Sequence, residues 1–187
     1  MERNTREDIL AAARLTVQAH GYNALSFREL GKEVGIRSAS IHHHFPTKGD
    51  LGAAIARRYT EEGEAWLGRI AGEETGLEAR LANYVAIFRA ALENGNRMCL
   101  CGIMAAEYRD LPEPVRAEVG RFIEMNVDWL RGVLADAGAR DAGGQALAIF
   151  AAIEGAQLVA RGREDIGLYD RAMTAYREAG LFSAGRG

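Results

Sequence analysis

Three groups of residues have types and spacings that could carry chemistry. Cys99 and Cys101 are the only thiols in the chain. On a helix, positions i and i+2 point about 200° apart, which disfavours both a strain-free disulfide and a shared metal ion. One thiol can then face a cavity and sense oxidants or electrophiles while the other packs, or both can be buried, the commoner state of a thiol outside a disulfide. His42-His43-His44 is a run of three metal-competent rings, but on a helix they fan out by about 100° each and do not converge on one ion. His44 reads as a packing neighbour of Phe45. The third group is large and apolar: Trp66, Tyr84, Phe88, Met104, Tyr108, Phe122, Met125 and Trp129. Such side chains at helical spacing usually build a core, but together with Cys99 and Cys101 they can also wall a ligand cavity. There is no glycine-rich phosphate loop after a strand, no zinc-ligand spacing and no carboxylate pair that the sequence places in a cleft. The expectation is a protein that is not an enzyme and holds no metal or cofactor.

The elements that must position these residues are helical throughout, about nine helices with no sustained two-residue alternation. The fold class expected is all-α. Thr5, followed by Glu7 and Asp8, reads as a helix start, since an acceptor and acidic groups suit the free N–H groups of a first turn. Ile9, Ala12, Ala13 and Val17 form its apolar face, and Gly21 ends it. Ser26 and Glu29 have capping-box spacing before a short helix from Phe27 to Val34, broken by Gly35. A second short helix runs from Ser38 to Phe45, stopped by Pro46. Long helices are expected at Lys48–Ile70, Leu77–Glu93, Met98–Tyr108, Val115–Ala137, Gly144–Arg161 and Ile166–Ala179. Positions 72–76 and Leu111–Pro114 read as loops, and the last five residues as a frayed tail.

Charge separates the two ends. The net charge is −3, yet residues 1–58 hold nine Lys/Arg against six Asp/Glu, while the remainder holds fourteen Arg against twenty Asp/Glu. A basic head on an acidic body fits contact with a polyanion through the head alone. The first twenty residues lack the apolar core of a secretion signal. The longest uncharged stretch, Ala142 to Ile153, is too short to cross a bilayer. A cytoplasmic protein without a membrane partner is expected.

Two eight-residue helices joined by a tight glycine turn bury little by themselves and need the first helix as a third wall: Leu10, Ala13 and Val17 against Phe27, Leu30, Val34, Ile36 and Ile41. This is the helix-turn-helix arrangement, whose second helix enters the major groove. The run from Ser26 to Ile36 followed by Ser38 to Lys48 resembles the DNA-binding signature of the tetracycline-repressor (TetR) family, and Thr5 to Tyr22 resembles its opening helix. The resemblance implies a three-helix DNA-binding domain over residues 1–50 and a helical effector-binding and dimerisation domain over 51–187. It further implies a groove helix whose leading turn is Ser38, Ala39 and Ser40, a base or backbone contact from Arg28, and a phosphate clamp at Lys48. His42 stands where the family usually has a backbone-contacting Tyr. Arg37 stands where it often has a Ser or Thr cap, so Ser38 is the substitute cap and Arg37 is free to reach a phosphate. His43 lies on the same groove helix.

Small residues recur through the segment Gln145–Arg161 (Ala146, Ala148, Ala151, Ala152, Gly155, Ala156, Ala160), which suits close helix approach. Read with the resemblance, this helix and the one after Ile166 form a homodimer interface. The function implied is a regulator, more often a repressor, that holds a palindromic double-stranded operator as a dimer and is released by a small-molecule effector. A thiol-based sensor using Cys99 and Cys101 and a helical scaffold that no longer binds DNA are the competing readings.

Overall fold

The computed structural model describes residues 4–72 and 76–184. Positions 73–75 of the expected 72–76 loop, and residues 185–187 of the expected tail, lie outside the described residues. Among those described, the chain is all helical: α1 (Thr5–His20), α2 (Phe27–Val34), α3 (Ser38–His44), α4 (Lys48–Gly72), α5 (Leu77–Glu93), α6 (Leu100–Ala106), α7 (Glu113–Asp136), α8 (Ala142–Gly162) and α9 (Ile166–Glu178), with one 3₁₀ turn at Tyr108–Asp110. The chain forms two compact units. The first comprises residues 1–61 and 100–122, the second residues 62–99 and 123–187.

In the first unit α1 packs on α2 and α6, and α2 packs on α3. The buried face of α1 is Ile9, Leu10, Ala12, Ala13 and Val17, matched by Leu30, Ile41 and Phe45 from the helix pair. Local caps differ from expectation. Asn4, not Thr5, caps α1, its Oδ1 accepting from the Glu7 N–H at 3.4 Å. The Ser26–Glu29 capping box does not form, because the Glu29 carboxylate turns to Lys32 at 3.0 Å and Arg28 at 3.0 Å. A reciprocal cap is built at α4 instead. The Thr47 N–H donates to Asp50 Oδ2 at 2.9 Å, and the Asp50 N–H donates to Thr47 Oγ1 at 3.1 Å. Ser38 is no cap either, since its Oγ reaches the Phe27 carbonyl at 3.4 Å.

The helix expected over Met98–Tyr108 is shorter and ends in the 3₁₀ turn. The Glu107 carboxylate leaves the helix line to accept from the N–H groups of Tyr22 at 2.6 Å and Asn23 at 3.2 Å. Asp110 accepts from Asn23 Nδ2 at 2.9 Å. Glu107 thereby holds the backbone that links α1 to α2, and Asp110 holds the Asn23 side chain. α7 begins at Glu113 rather than Val115, because Pro114 in a first turn loses no helix hydrogen bond.

In the second unit α8 packs on α9 and α5, and α5 packs on α9. Tyr169 donates to the Val85 carbonyl at 2.9 Å, and Arg89 pairs with both oxygens of Asp170 at 2.7 and 3.0 Å. Asp141 caps α8 through the Gly144 N–H at 2.8 Å. The uncharged run ends at Ile153, but the helix continues to Gly162, so α8 is long and apolar enough to cross a membrane by length and composition alone. One side of it, from Ala146 to Ala160, is buried in the unit. The other exposes Leu147 (57%), Leu158 (61%) and Val159 (56%).

Candidate functional site

The short groove helix α3 has one buried side chain, Ile41. Ala39, Ser40, His42 and His43 are exposed, and Ser38 is half-buried. Ile41 anchors the helix while Ala39, Ser40, His42 and His43 are offered outward, the geometry a groove-reading helix needs. Arg37 precedes the helix and is exposed. Arg28 is exposed and ion-paired with Glu29, a surface pair that costs little to exchange for a phosphate or a base. Lys32 and Arg28 hold the Glu29 carboxyl below its ordinary range.

His42 lies edge-on to Phe27 at 4.7 Å between ring centroids, and its Nδ1 is 3.2 Å from the Pro46 carbonyl. A carbonyl only accepts, so Nδ1 carries the proton in this contact. Nε2 can then donate to a phosphate only from the protonated ring. Lys48 is placed differently from a free clamp. Its ammonium donates to the Asn23 carbonyl at 3.1 Å and lies 4.6 Å from the Tyr22 ring centroid. Burial lowers its pKa, against the pull of Glu107. Gly52 lets Tyr22 lie against α4, since a Cβ there would stand 2.6 Å from the ring.

Residues 9–55 match the family model for bacterial regulatory proteins of the tetR family. A TetR transcriptional regulator from Legionella pneumophila has the same fold at a TM-score of 0.90 and 31% identity, over 95% of this chain and 98% of that one. The chain belongs to the TetR family. A TetR-family regulator from Agrobacterium tumefaciens agrees at 0.88 and 30%, over 94% and 96%. A stretch of 54 residues, spanning 29% of either protein, is also 39% identical to the HTH-type transcriptional repressor AcnR of Corynebacterium glutamicum. The all-α TetR architecture read from the sequence, a helix-turn-helix head followed by a helical body, is the one observed.

The ligand residues expected for a TetR body are divided between the two units. In the second unit Tyr84 is fully buried, stacked on Trp129 (5.3 Å, 22°) and edge-to-face with Phe88 (5.2 Å). Met125 is half-buried. Trp66, of the same unit, is 43% exposed, with Arg69 over its ring. In the first unit Met104 is buried, Phe122 packs on Tyr59 at 5.3 Å, and Tyr108 is 54% exposed beside Arg116. Cys99 is fully buried in the second unit and Cys101 almost so in the first, and neither is in a disulfide.

The sequence reading missed the polar interior of the second unit. Tyr84 donates to Asn126 Oδ1 at 2.9 Å. Gln157, fully buried, accepts from the Cys99 N–H at 2.9 Å and donates to the Phe88 carbonyl at 2.7 Å. Glu154 is half-buried as a residue, but both its carboxylate oxygens are shielded from water and lack a hydrogen-bond partner. Burial pushes its pKa up to about 7, with the Cys99 thiol acting in the opposite direction. The signal was available: Glu154 and Gln157 are the only polar side chains between Gln145 and Arg161.

Because Glu154 binds its proton more tightly folded than unfolded, its contribution to stability falls as pH rises from its ordinary value to about 7, and stays low above that. Glu154→Gln is therefore expected to be more stable than the parent near pH 8, by up to about 3 kcal/mol, and nearly equal to it near pH 4. Urea unfolding at matched protein concentration checks this, and a pH-independent difference would refute it.

Proposed function

We propose that the chain is a dimeric, cytoplasmic TetR-family repressor that reads double-stranded operator DNA and releases it on binding a small-molecule effector. The observation that carries the reading is α3, anchored by Ile41 and exposing Ala39, Ser40, His42 and His43. Residues 1–50 form the DNA-reading part: Ser38, Ala39 and Ser40 approach base edges, Arg28, Arg37, His42 and His43 contact bases or phosphates, and Lys48 works through the α1–α2 link it holds. Repression is supported by the 39% identity of a 54-residue stretch to an HTH-type repressor.

Residues 51–187 supply the effector site and the dimer contact. The exposed Leu147, Leu158 and Val159 of α8, with a groove of about 890 Å³ lined by Ala148, Ala151, Ala152 and Tyr176, form an apolar surface suited to a second copy. A two-fold dimer requires a near-palindromic operator with half-sites about one helical turn apart. α4 runs unbroken from Lys48 to Gly72, and we assign it the coupling of effector to head: an effector preferring another spacing of the two heads lowers operator affinity.

Fluorescence anisotropy against duplexes from the protein's own upstream region tests the reading. A dimer contacting six to ten phosphates is expected to lose about 10³-fold or more in affinity between roughly 50 and 200 mM salt. Arg37→Ala should weaken binding by about tenfold and flatten that slope. Leu158→Glu should give a monomer with weakened DNA binding. A protein that ignores every duplex at low ionic strength would leave only a helical scaffold.

A further inference from the structure

We propose that Glu107 is a positioning residue for operator recognition, its carboxylate fixing the α1–α2 link and, through it, the register in which α2 and α3 meet a duplex. The inference deepens, and rests on, the DNA-reading role proposed for residues 1–50. It adds to them a residue from the stretch 100–122, which folds into the same compact unit.

Three segments meet at Asn23. One Glu107 oxygen accepts from two successive main-chain N–H groups, Tyr22 at 2.6 Å and Asn23 at 3.2 Å. The Asn23 carbonyl takes the Lys48 ammonium at 3.1 Å, and the Asn23 side-chain amide donates to Asp110 at 2.9 Å. Hydrogen bonds to an ionised acceptor are roughly twice as strong as neutral ones. The backbone is also shaped for the acid. Gly21 lies at φ 85°, and a Cβ on it would run into the Glu107 carboxylate.

This junction brackets the DNA-reading pair. α2 begins four residues after Asn23, and α3 ends four residues before Lys48. The Lys48–Asn23 bond therefore ties together the two ends of the segment that carries both helices. Glu107 holds that tie in place through the N–H groups, and its charge favours the ammonium form of Lys48. Without it the link keeps one ammonium bond and one exposed side-chain bond. Asp110 touches only the Asn23 side chain, so it is no substitute.

Two kinds of DNA contact respond differently to a shifted helix pair. Hydrogen bonds to base edges need close distance and alignment, whereas attraction to phosphates falls off slowly. A loosened link therefore costs discrimination before it costs bulk attraction. A carboxylate acting only as a charge predicts the opposite sign, since its removal would strengthen binding to every duplex.

Fluorescence anisotropy on the full-length protein tests the assignment with two duplexes of equal length. One is selected by the parent chain from a randomised pool, and the other is its scrambled sequence. Glu107→Ala is expected to weaken the selected duplex by at least about tenfold and to leave the scrambled one within about twofold. Glu107→Gln keeps reach and an acceptor oxygen but no charge, so it should retain most of the discrimination. Glu107→Asp keeps the charge but falls one methylene short, so it should resemble Glu107→Ala. Amide exchange reads the link directly: the Tyr22 and Asn23 N–H groups should exchange at least about tenfold faster in Glu107→Ala, with Leu30 and Ile41 still protected. Equal losses on both duplexes, exposed Leu30 and Ile41 amides, or better discrimination by Asp than by Gln would overturn the assignment. Discrimination that survives intact in Glu107→Ala sinks this inference alone. A parent chain that tells no duplex from its scramble sinks the repressor reading with it.

Discussion

Replacing Gln157 with alanine is expected to cost about 3–5 kcal/mol of folding stability. The side chain is fully buried and makes two hydrogen bonds to main-chain groups, from the Cys99 N–H and to the Phe88 carbonyl. Deleting it strands both, at about 1–3 kcal/mol for each group left unpaired in the interior. The emptied volume adds a cavity penalty, since neighbours collapse only in part. Gln157→Leu separates the two effects: it fills most of the space but restores neither hydrogen bond, so its cost should be smaller yet still near 2 kcal/mol. Gln157→Glu can accept from Cys99 but cannot donate to Phe88, and it adds a second acid one turn from Glu154. Tryptophan fluorescence during urea unfolding reads this directly, because both tryptophans, Trp66 and Trp129, lie in the second unit. A loss below about 1 kcal/mol in Gln157→Ala would show that the bridge is dispensable.

Gly35→Val is expected to lower operator affinity by at least about tenfold while leaving tryptophan-monitored unfolding nearly unchanged. Gly35 ends α2 in the left-handed region (φ 75°, ψ 36°), and its N–H donates to the Gly31 carbonyl. Nothing lies within 4 Å of where its Cβ would stand, so the effect is conformational and not steric crowding. An L residue in that region costs about 1–2 kcal/mol, and a β-branched one more. The chain relieves the strain by reopening the turn that sets α3 against α2. That displaces the groove helix, twice over in a dimer. Asparagine tolerates the left-handed region best after glycine, so the expected order of affinity is Gly35, then Asn, then Ala, then Val. Wild-type affinity in Gly35→Val would mean that the turn does not set the helix pair.

How much of this was readable in advance follows from the range of the forces involved. The helix-turn-helix was legible because its determinants are local: Gly35 must turn, Ile41 must face inward, Pro46 must stop a helix, and each acts through its own backbone or its nearest neighbours. The apolar face of α1 was legible for the same reason of period, with Ile9, Ala12, Ala13 and Val17 all buried as read. Caps were less secure. Ser26, Thr5 and Ser38 have the right chemistry, but Glu29 found two cations within hydrogen-bond reach, and Asn4 and Thr47 took the capping positions that count.

The body was legible only in outline. Periodicity placed its helices to within a few residues, and the family resemblance supplied their order. It did not separate aromatic residues that gather around Tyr84 from those left at the surface, such as Trp66 and Tyr108. Nor did it foresee Glu107 reaching back to Tyr22 across 85 residues, or Gln157 reaching Cys99 and Phe88. Residue type and spacing alone determined the all-helical chain, the basic head and its outward groove helix. Only tertiary packing decided which polar groups lost water, because desolvation depends on what the whole chain stacks around an atom. That is why Glu154, an acid in a small-residue helix, has both carboxylate oxygens shielded from water.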